Sequence, residues 1–308
     1  MPKLKDDVIK KADLDDYLNS YSDFSFELSV LKMLREKNIS CEHGGLYEDS
    51  VTGKWREFDI RADKTISDYR MRLAIECKNI KPNFPVLISC VPRSERESYH
   101  QIAVVGERKA NENHAFSAPP GWHSRANICR IQGENSIYKA KDPVGKSTAQ
   151  VGRSMTGQIS ANDGEFYDKW SQSLSSLTDL IADIYWDGGA QEDKNFYLST
   201  AIPIVVVPNG RLWTAHYDNS GTIVQEPFLV ERCSCFVDKE YEMGADMTKR
   251  KMRISHIEIM TVDGLKSFVE SNLGSDEEIS TWFPKEAIFG KSKKKQGFVL
   301  DLSAHNDP

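Results

Sequence analysis

Arg56-Glu57-Phe58-Asp59-Ile60-Arg61-Ala62 and Leu73-Ala74-Ile75-Glu76-Cys77-Lys78-Asn79 are the two stretches on which the reading of this chain turns. Each is an apolar segment that reads as a strand, yet together they carry two carboxylates and a lysine at polar positions. A charged group in a strand either faces water or is held by something that offsets its desolvation. Glu76 and Lys78 are two residues apart and project from one side of their strand, with Cys77 on the other. A hairpin would bring Asp59 alongside them. Two carboxylates beside an ammonium suit a hydrated Mg²⁺ and a phosphodiester: the acids hold the ion, and the lysine orients the attacking water or offsets phosphate charge. A shared ion sets an expected separation of roughly 4 to 6 Å between the Asp59 and Glu76 carboxylates, with Lys78 in the same cleft.

Upstream, Phe24, Leu28, Leu31 and Leu34 recur at helical spacing, which predicts a helix over 24–37 with Asp23 as its N-cap and Glu27 in its first turns. A polar, helix-compatible lead-in occupies 6–20. Strands are expected at 40–47, 55–62, 69–80 and 85–91, with turns at Thr52-Gly53 and 63–68. A helix, then Asp59, then Glu76-Cys77-Lys78 resembles the PD-(D/E)XK nuclease superfamily over roughly residues 20 to 105, with Phe58 where the motif's name has proline. The resemblance implies an α/β, restriction-endonuclease-like fold, a central mixed sheet flanked by helices, to which the residues after about 190 would add a sheet extension or a smaller β-rich subdomain. It implies Asp59 and Glu76 as metal ligands, the Cys77 carbonyl as a further oxygen ligand, and Glu27 as an additional carboxylate from the first core helix. Lys78 would position the nucleophilic water and stabilise the phosphorane. The implied activity is Mg²⁺-dependent hydrolysis of DNA phosphodiesters by an endonuclease, with Mn²⁺ able to substitute, and a restriction or defence role is compatible with it. Two alternatives stand beside it: a non-catalytic nucleic-acid-binding or assembly protein on a nuclease scaffold, and an RNA- or structure-specific nuclease.

Residues 106–164 are rich in Asn, Ser, Gly and Pro around Pro119-Pro120-Gly121-Trp122-His123, and read as a long loop insertion. Within them, Gly145-Lys146-Ser147 lacks the rest of a phosphate-binding loop, since Ala140 stands where a glycine is required. Lys146, Ser147 and Gln150 instead read as the start of a helix near the metal site. Phe166, Trp170, Leu174, Leu177, Leu180, Ile181 and Ile184 form the apolar stripe of a helix over 165–186. Ile202–Pro208 is a continuous apolar run that Asn209-Gly210 would join to 211–217 as a hairpin. Strands at 228–237 and 253–261 and helices at 263–272 and 276–286 complete the reading. The domain expectation is a nuclease core over 1–190 and a sheet extension or smaller α+β subdomain over 191–308.

The net charge of −6 over 308 residues argues against a protein that coats nucleic acid along its whole surface, so phosphate contacts would fall to local groups. The candidates are Arg70 and Arg72, Arg93 and Arg96, Gln150, the Lys249, Arg250, Lys251, Arg253 cluster, and Lys291, Lys293, Lys294 and Lys295; Tyr99 and Gln101 are candidates for substrate contact. Six cysteines show no CxxC pair and read as small buried side chains, and the histidines show no metal-binding spacing. No apolar run is long enough to span a bilayer, and the first residues lack the apolar segment of a secretory signal. DNA is the expected partner, with RNA and homodimer formation left open, no membrane contact, and a cytoplasmic location.

Overall fold

The computed structural model describes residues 6–20, 22–49, 52–106, 126–162, 164–187, 196–244 and 249–289. Helices α1 (Lys11–Ser20) and α2 (Phe24–Glu36) lead into β1 (Ser40–Glu48), β2 (Trp55–Ile66), β3 (Tyr69–Cys77), β4 (Val86–Pro92) and β5 (Tyr99–Val105). Strands β6 (Ala126–Gln132), β7 (Pro143–Arg153) and β8 (Ile159–Asn162) precede α3 (Gly164–Ile184). Then come β9 (Tyr197–Val207), β10 (Leu212–Tyr217), β11 (Ile223–Leu229), β12 (Arg232–Met243) and β13 (Arg250–Thr261), closed by α4 (Val262–Leu273), α5 (Asp276–Ser280) and α6 (Lys285–Phe289). The thirteen strands form one mixed sheet in the order β1-β2-β3-β9-β13-β12-β7-β4-β10-β11, with β5 and β6 branching from β9 and β8 from β7.

The period-two rule explains how β3 organises this sheet. Met71, Leu73, Ile75 and Cys77 join Val30, Leu31 and Leu34 of α2 and Leu265 and Phe268 of α4 in one core cluster. Ala74, one step out of phase, packs with Leu177, Ile181 and Ile184 of α3 in another. A strand buried on both faces needs neighbours on both edges to satisfy its backbone. It has them: β2 antiparallel on one side and β9 parallel on the other. Full burial of each such Leu or Ile contributes about 1.5–3 kcal/mol, so the strand that carries Glu76 is firmly anchored. Ser173 of α3, fully buried, donates to the Ala74 and Ile204 carbonyls at 3.0 and 3.3 Å and fixes that helix over β3 and β9.

Several expectations are corrected. Residues 126–132, 143–153 and 159–162 are strands of the sheet; residues 107–125, including the Pro119 to His123 centre, lie outside those described. Gln150 therefore begins no helix: it pairs with Val86 in the β4–β7 ladder, buried, with its Nε2 donating to the Phe84 carbonyl at 3.4 Å. Asn209-Gly210 makes a turn, with Gly210 at φ +71°, but β9 and β10 do not pair. Both long edges of β9 are occupied by β3 and β13, so β10 adds to β4 instead. Because β9 lies at the sheet centre, the strands after residue 190, β9 to β13, belong to the same sheet as β1 to β3. The Asp23 side chain makes no cap bond. Its carboxylate instead accepts the Asn79 N–H at 2.7 Å and so ties α2 to the chain leaving β3, while Ser22 Oγ accepts the Phe24 N–H.

Candidate active site

The β2–β3 ladder runs from Ile66 opposite Tyr69 to Ile60 opposite Ile75. One residue further the backbone pairing gives way, and the Asp59 carboxylate takes the Cys77 N–H at 2.7 Å in place of a strand carbonyl. β3 stays paired on its other edge, Cys77 opposite Val206, and the Lys78 N–H reaches the Val206 carbonyl at 2.9 Å. The sheet thus parts between β2 and β3 at the point where the acids lie.

Asp59 and Glu76 converge on one atom. Lys169 Nζ, from the first turns of α3, donates to Asp59 Oδ2 at 2.6 Å and to Glu76 Oε2 at 3.2 Å. The two carboxylate oxygens therefore lie no more than about 6 Å apart. Glu76 is fully buried, and its second oxygen, Oε1, has no hydrogen-bond partner. Glu27 enters from α2, where His43 Nε2 of β1 sits 3.2 Å from its Oε2.

The charges are strongly coupled. Burial, followed by the Asp59 charge, pushes the Glu76 carboxyl well above its ordinary value, and Lys169 offsets part of this. Burial and then Asp59 also raise Glu27, against the pull of His43 and Lys169. Burial alone would lower Lys169, but Glu76 and Asp59 outweigh it and hold the ammonium charged. Three acids facing one cation leave the cluster short of positive charge. Among the described residues no group of three or more acids, histidines and thiols is arranged so that it could hold a metal ion. Two carboxylates with a free buried oxygen are nonetheless hard-oxygen donors of the kind Mg²⁺ takes, an ion that keeps several waters and uses only one or two carboxylates from a protein.

The other sequence candidates separate from this cluster. Lys78 leaves the same strand end with its ammonium 3.4 Å from Asp23 Oδ2, one helical turn before Glu27. Arg70 and Arg72 are spent on Asp63 and on Asp187, which is 2 % exposed and also accepts from Ser199. Arg93 is buried elsewhere in the sheet, and Arg96 is exposed beside it. Lys249, Lys251 and Arg253 face Glu242, Glu240 and Asp238 across the β12–β13 hairpin, and Arg250 is half-buried at its end. Tyr99 and Gln101 are buried, the first on Asp238 and the second accepting the Arg253 N–H, which removes them as surface substrate contacts. Lysines 291 and 293–295 lie outside the described residues.

Sequence reasoning missed Lys169 and His43. A signal for Lys169 existed: it stands three residues after Phe166 and four before Ser173, on the buried side of the α3 stripe, where a charged side chain needs a partner. Among the described residues no helix is long and apolar enough to cross a membrane. In comparisons with known proteins, the chain matches no family model, no curated protein and no solved structure.

Proposed function

We propose that this protein is a metal-dependent nuclease of the PD-(D/E)XK kind that hydrolyses DNA phosphodiesters. The observation that carries the reading is the convergence of Asp59 Oδ2 and Glu76 Oε2 on one point at a parted sheet end, with Glu76 Oε1 buried and unpartnered. An unpaired buried oxygen costs about 1–3 kcal/mol or more, a cost that a bound ion would remove. Asp59, Glu76 and the Cys77 carbonyl would hold Mg²⁺ or Mn²⁺, which when bound supplies a Lewis acid and an activated water. Glu27, made more basic by burial and the Asp59 charge, would accept a proton beside that centre. Lys78, which leaves the same strand end beside Asp23, would offset phosphate charge.

A second reading has its own support. Lys169 already bridges both acids, as a structural ion pair would, and in that case the scaffold binds nucleic acid without cutting it. Cleavage assays on linear, circular and branched DNA and on RNA, with Mg²⁺, with Mn²⁺ and with chelator, separate the two. The nuclease reading expects metal-dependent cutting that Asp59→Ala and Glu76→Ala abolish and Lys78→Ala slows. Cutting that survives all three substitutions refutes it, and binding without cutting favours the second reading.

A further inference from the structure

A cavity of about 440 Å³ lies at the other end of the sheet, walled by β4, β10, β11 and β12 and by the segment before β7, and shares no lining residue with the Asp59–Glu76 cluster. Its volume is that of a small-molecule pocket. What distinguishes it is a set of unspent hydrogen-bond donors. Arg93 is 4 % exposed, and its Nη1 and Nη2 are used by the Lys139 carbonyl and Ser234 Oγ, but its Nε has no partner. Among the described residues the carboxylate paired with this buried guanidinium is Asp142, whose Oδ2 is 4.0 Å from Nη1 and whose side chain is exposed. Thr214 is 2 % exposed and its Oγ1 is likewise unpartnered.

The second arginine of the wall, Arg232, is half engaged. Its Nε and Nη2 donate to buried Glu258 at 2.8 and 2.9 Å, which leaves Nη1 unbonded to protein. Tyr138 completes the hold on Glu258 with its hydroxyl at 2.9 Å, and that carboxylate acts on Arg93 through its charge and not through a hydrogen bond. Burying a guanidinium and a hydroxyl without partners is costly, and a ligand oxygen removes the cost. Two guanidiniums and a hydroxyl lining one cavity, from the residue after β4, the start of β12 and the middle of β10, suit a tetrahedral group with several oxygens better than a planar carboxylate. Phe228 and His216, 5.2 Å apart edge to face, supply an apolar flank for the rest of the ligand.

The geometry points to a binding site for a phosphate monoester of mononucleotide size, held at its phosphate by Arg93, Arg232 and Thr214. The site is independent of the nuclease proposal, and its test uses no cleavage. Isothermal titration of the full chain in chelator would compare inorganic phosphate, nucleoside monophosphates, sugar phosphates, the matching nucleosides without phosphate, and citrate. Saturable binding of at least one phosphate ester is expected, with a dissociation constant below about 1 mM, inorganic phosphate weaker and the bare nucleosides silent. Thr214→Val, which keeps shape and removes only the hydroxyl, should weaken that binding by about 10-fold, and Arg93→Lys by more. Asp59→Ala should leave it unchanged. Absence of binding by every phosphate at about 10 mM, preference for citrate, or full affinity in Thr214→Val would each overturn the assignment.

Discussion

Replacing Lys169 by Met tests the charge balance of the candidate active site directly. The substitution keeps the length and apolar stem of the side chain and removes only the ammonium that bridges Asp59 and Glu76. Both acids are nearly or fully enclosed, their side chains 11 % and 1 % exposed, so the loss is not screened as it would be at a surface. Breaking a buried ion pair by removing one partner costs about 3–5 kcal/mol. The lower end applies here, because Glu76 is already raised by burial and can escape the cost by taking a proton. The expected loss is about 3 kcal/mol near pH 8 in chelator, or about 6 °C in melting temperature for a chain of this size. The sign with pH is fixed by the raised carboxyl. Its folded value lies above its unfolded one, so the penalty is full at high pH and shrinks as pH falls and Glu76 protonates. Thermal melts of parent and variant at pH 8 and pH 5.5, each with chelator and with millimolar Mg²⁺, give the answer. A loss that shrinks at the lower pH and in Mg²⁺ is expected, and Lys169→Met with Glu76→Gln should recover most of the stability. A variant within about 1 kcal/mol of the parent at pH 8, or a deficit equal under all four conditions, would refute the coupled-charge account.

Asp187→Asn removes the charge that Arg70 and Arg72 share at the C-terminal end of α3, and should cost about 3–5 kcal/mol by urea unfolding, without the Mg²⁺ dependence expected of the Lys169 variant. Burial lowers His100 to about 4 and His256 to about 2, so both remain neutral in the fold. Their contribution is complete above the unfolded value of about 6.5 and is lost on acidification, at about 1.4 kcal/mol per pH unit for each between pH 6 and 4. His256→Gln should flatten the stability–pH slope over that interval by about this amount, and a parallel slope would place the acid sensitivity elsewhere. Neutralising Lys249 and Lys251 together should leave the salt dependence of DNA affinity unchanged, since Glu242 and Glu240 already offset them. A slope reduced by about two charges would return that hairpin to the nucleic-acid interface.

Much of the fold was legible locally. The alternation through Met71 to Cys77 and the stripe from Phe166 to Ile184 have periods of two and about 3.6, and these follow from strand and helix geometry without reference to the rest of the chain. The same rule put Glu76 out of phase with Cys77, and the ladder then brought Asp59 to it. Pairing partners were not legible. Asn209-Gly210 carries the local chemistry of a hairpin, but whether two strands join depends on which edges remain free, and β3 and β13 had taken those of β9. The Asn- and Gly-rich stretch after residue 106 read as loop because strand formation there depends on neighbours such as β4 and β5, not on its own composition.

Charge followed the same division. The positions of Arg70, Arg72 and Lys251 in the sequence marked them as basic, while only the folded chain decided that Asp63, Asp187 and Glu240 would neutralise them. Lys169 is 93 residues from Glu76 in sequence and 3.2 Å from it in space. A residue's type and local phase are written in its neighbours along the chain. Its electrostatic partner is selected by desolvation, which acts only once distant segments have packed and removed the water between them.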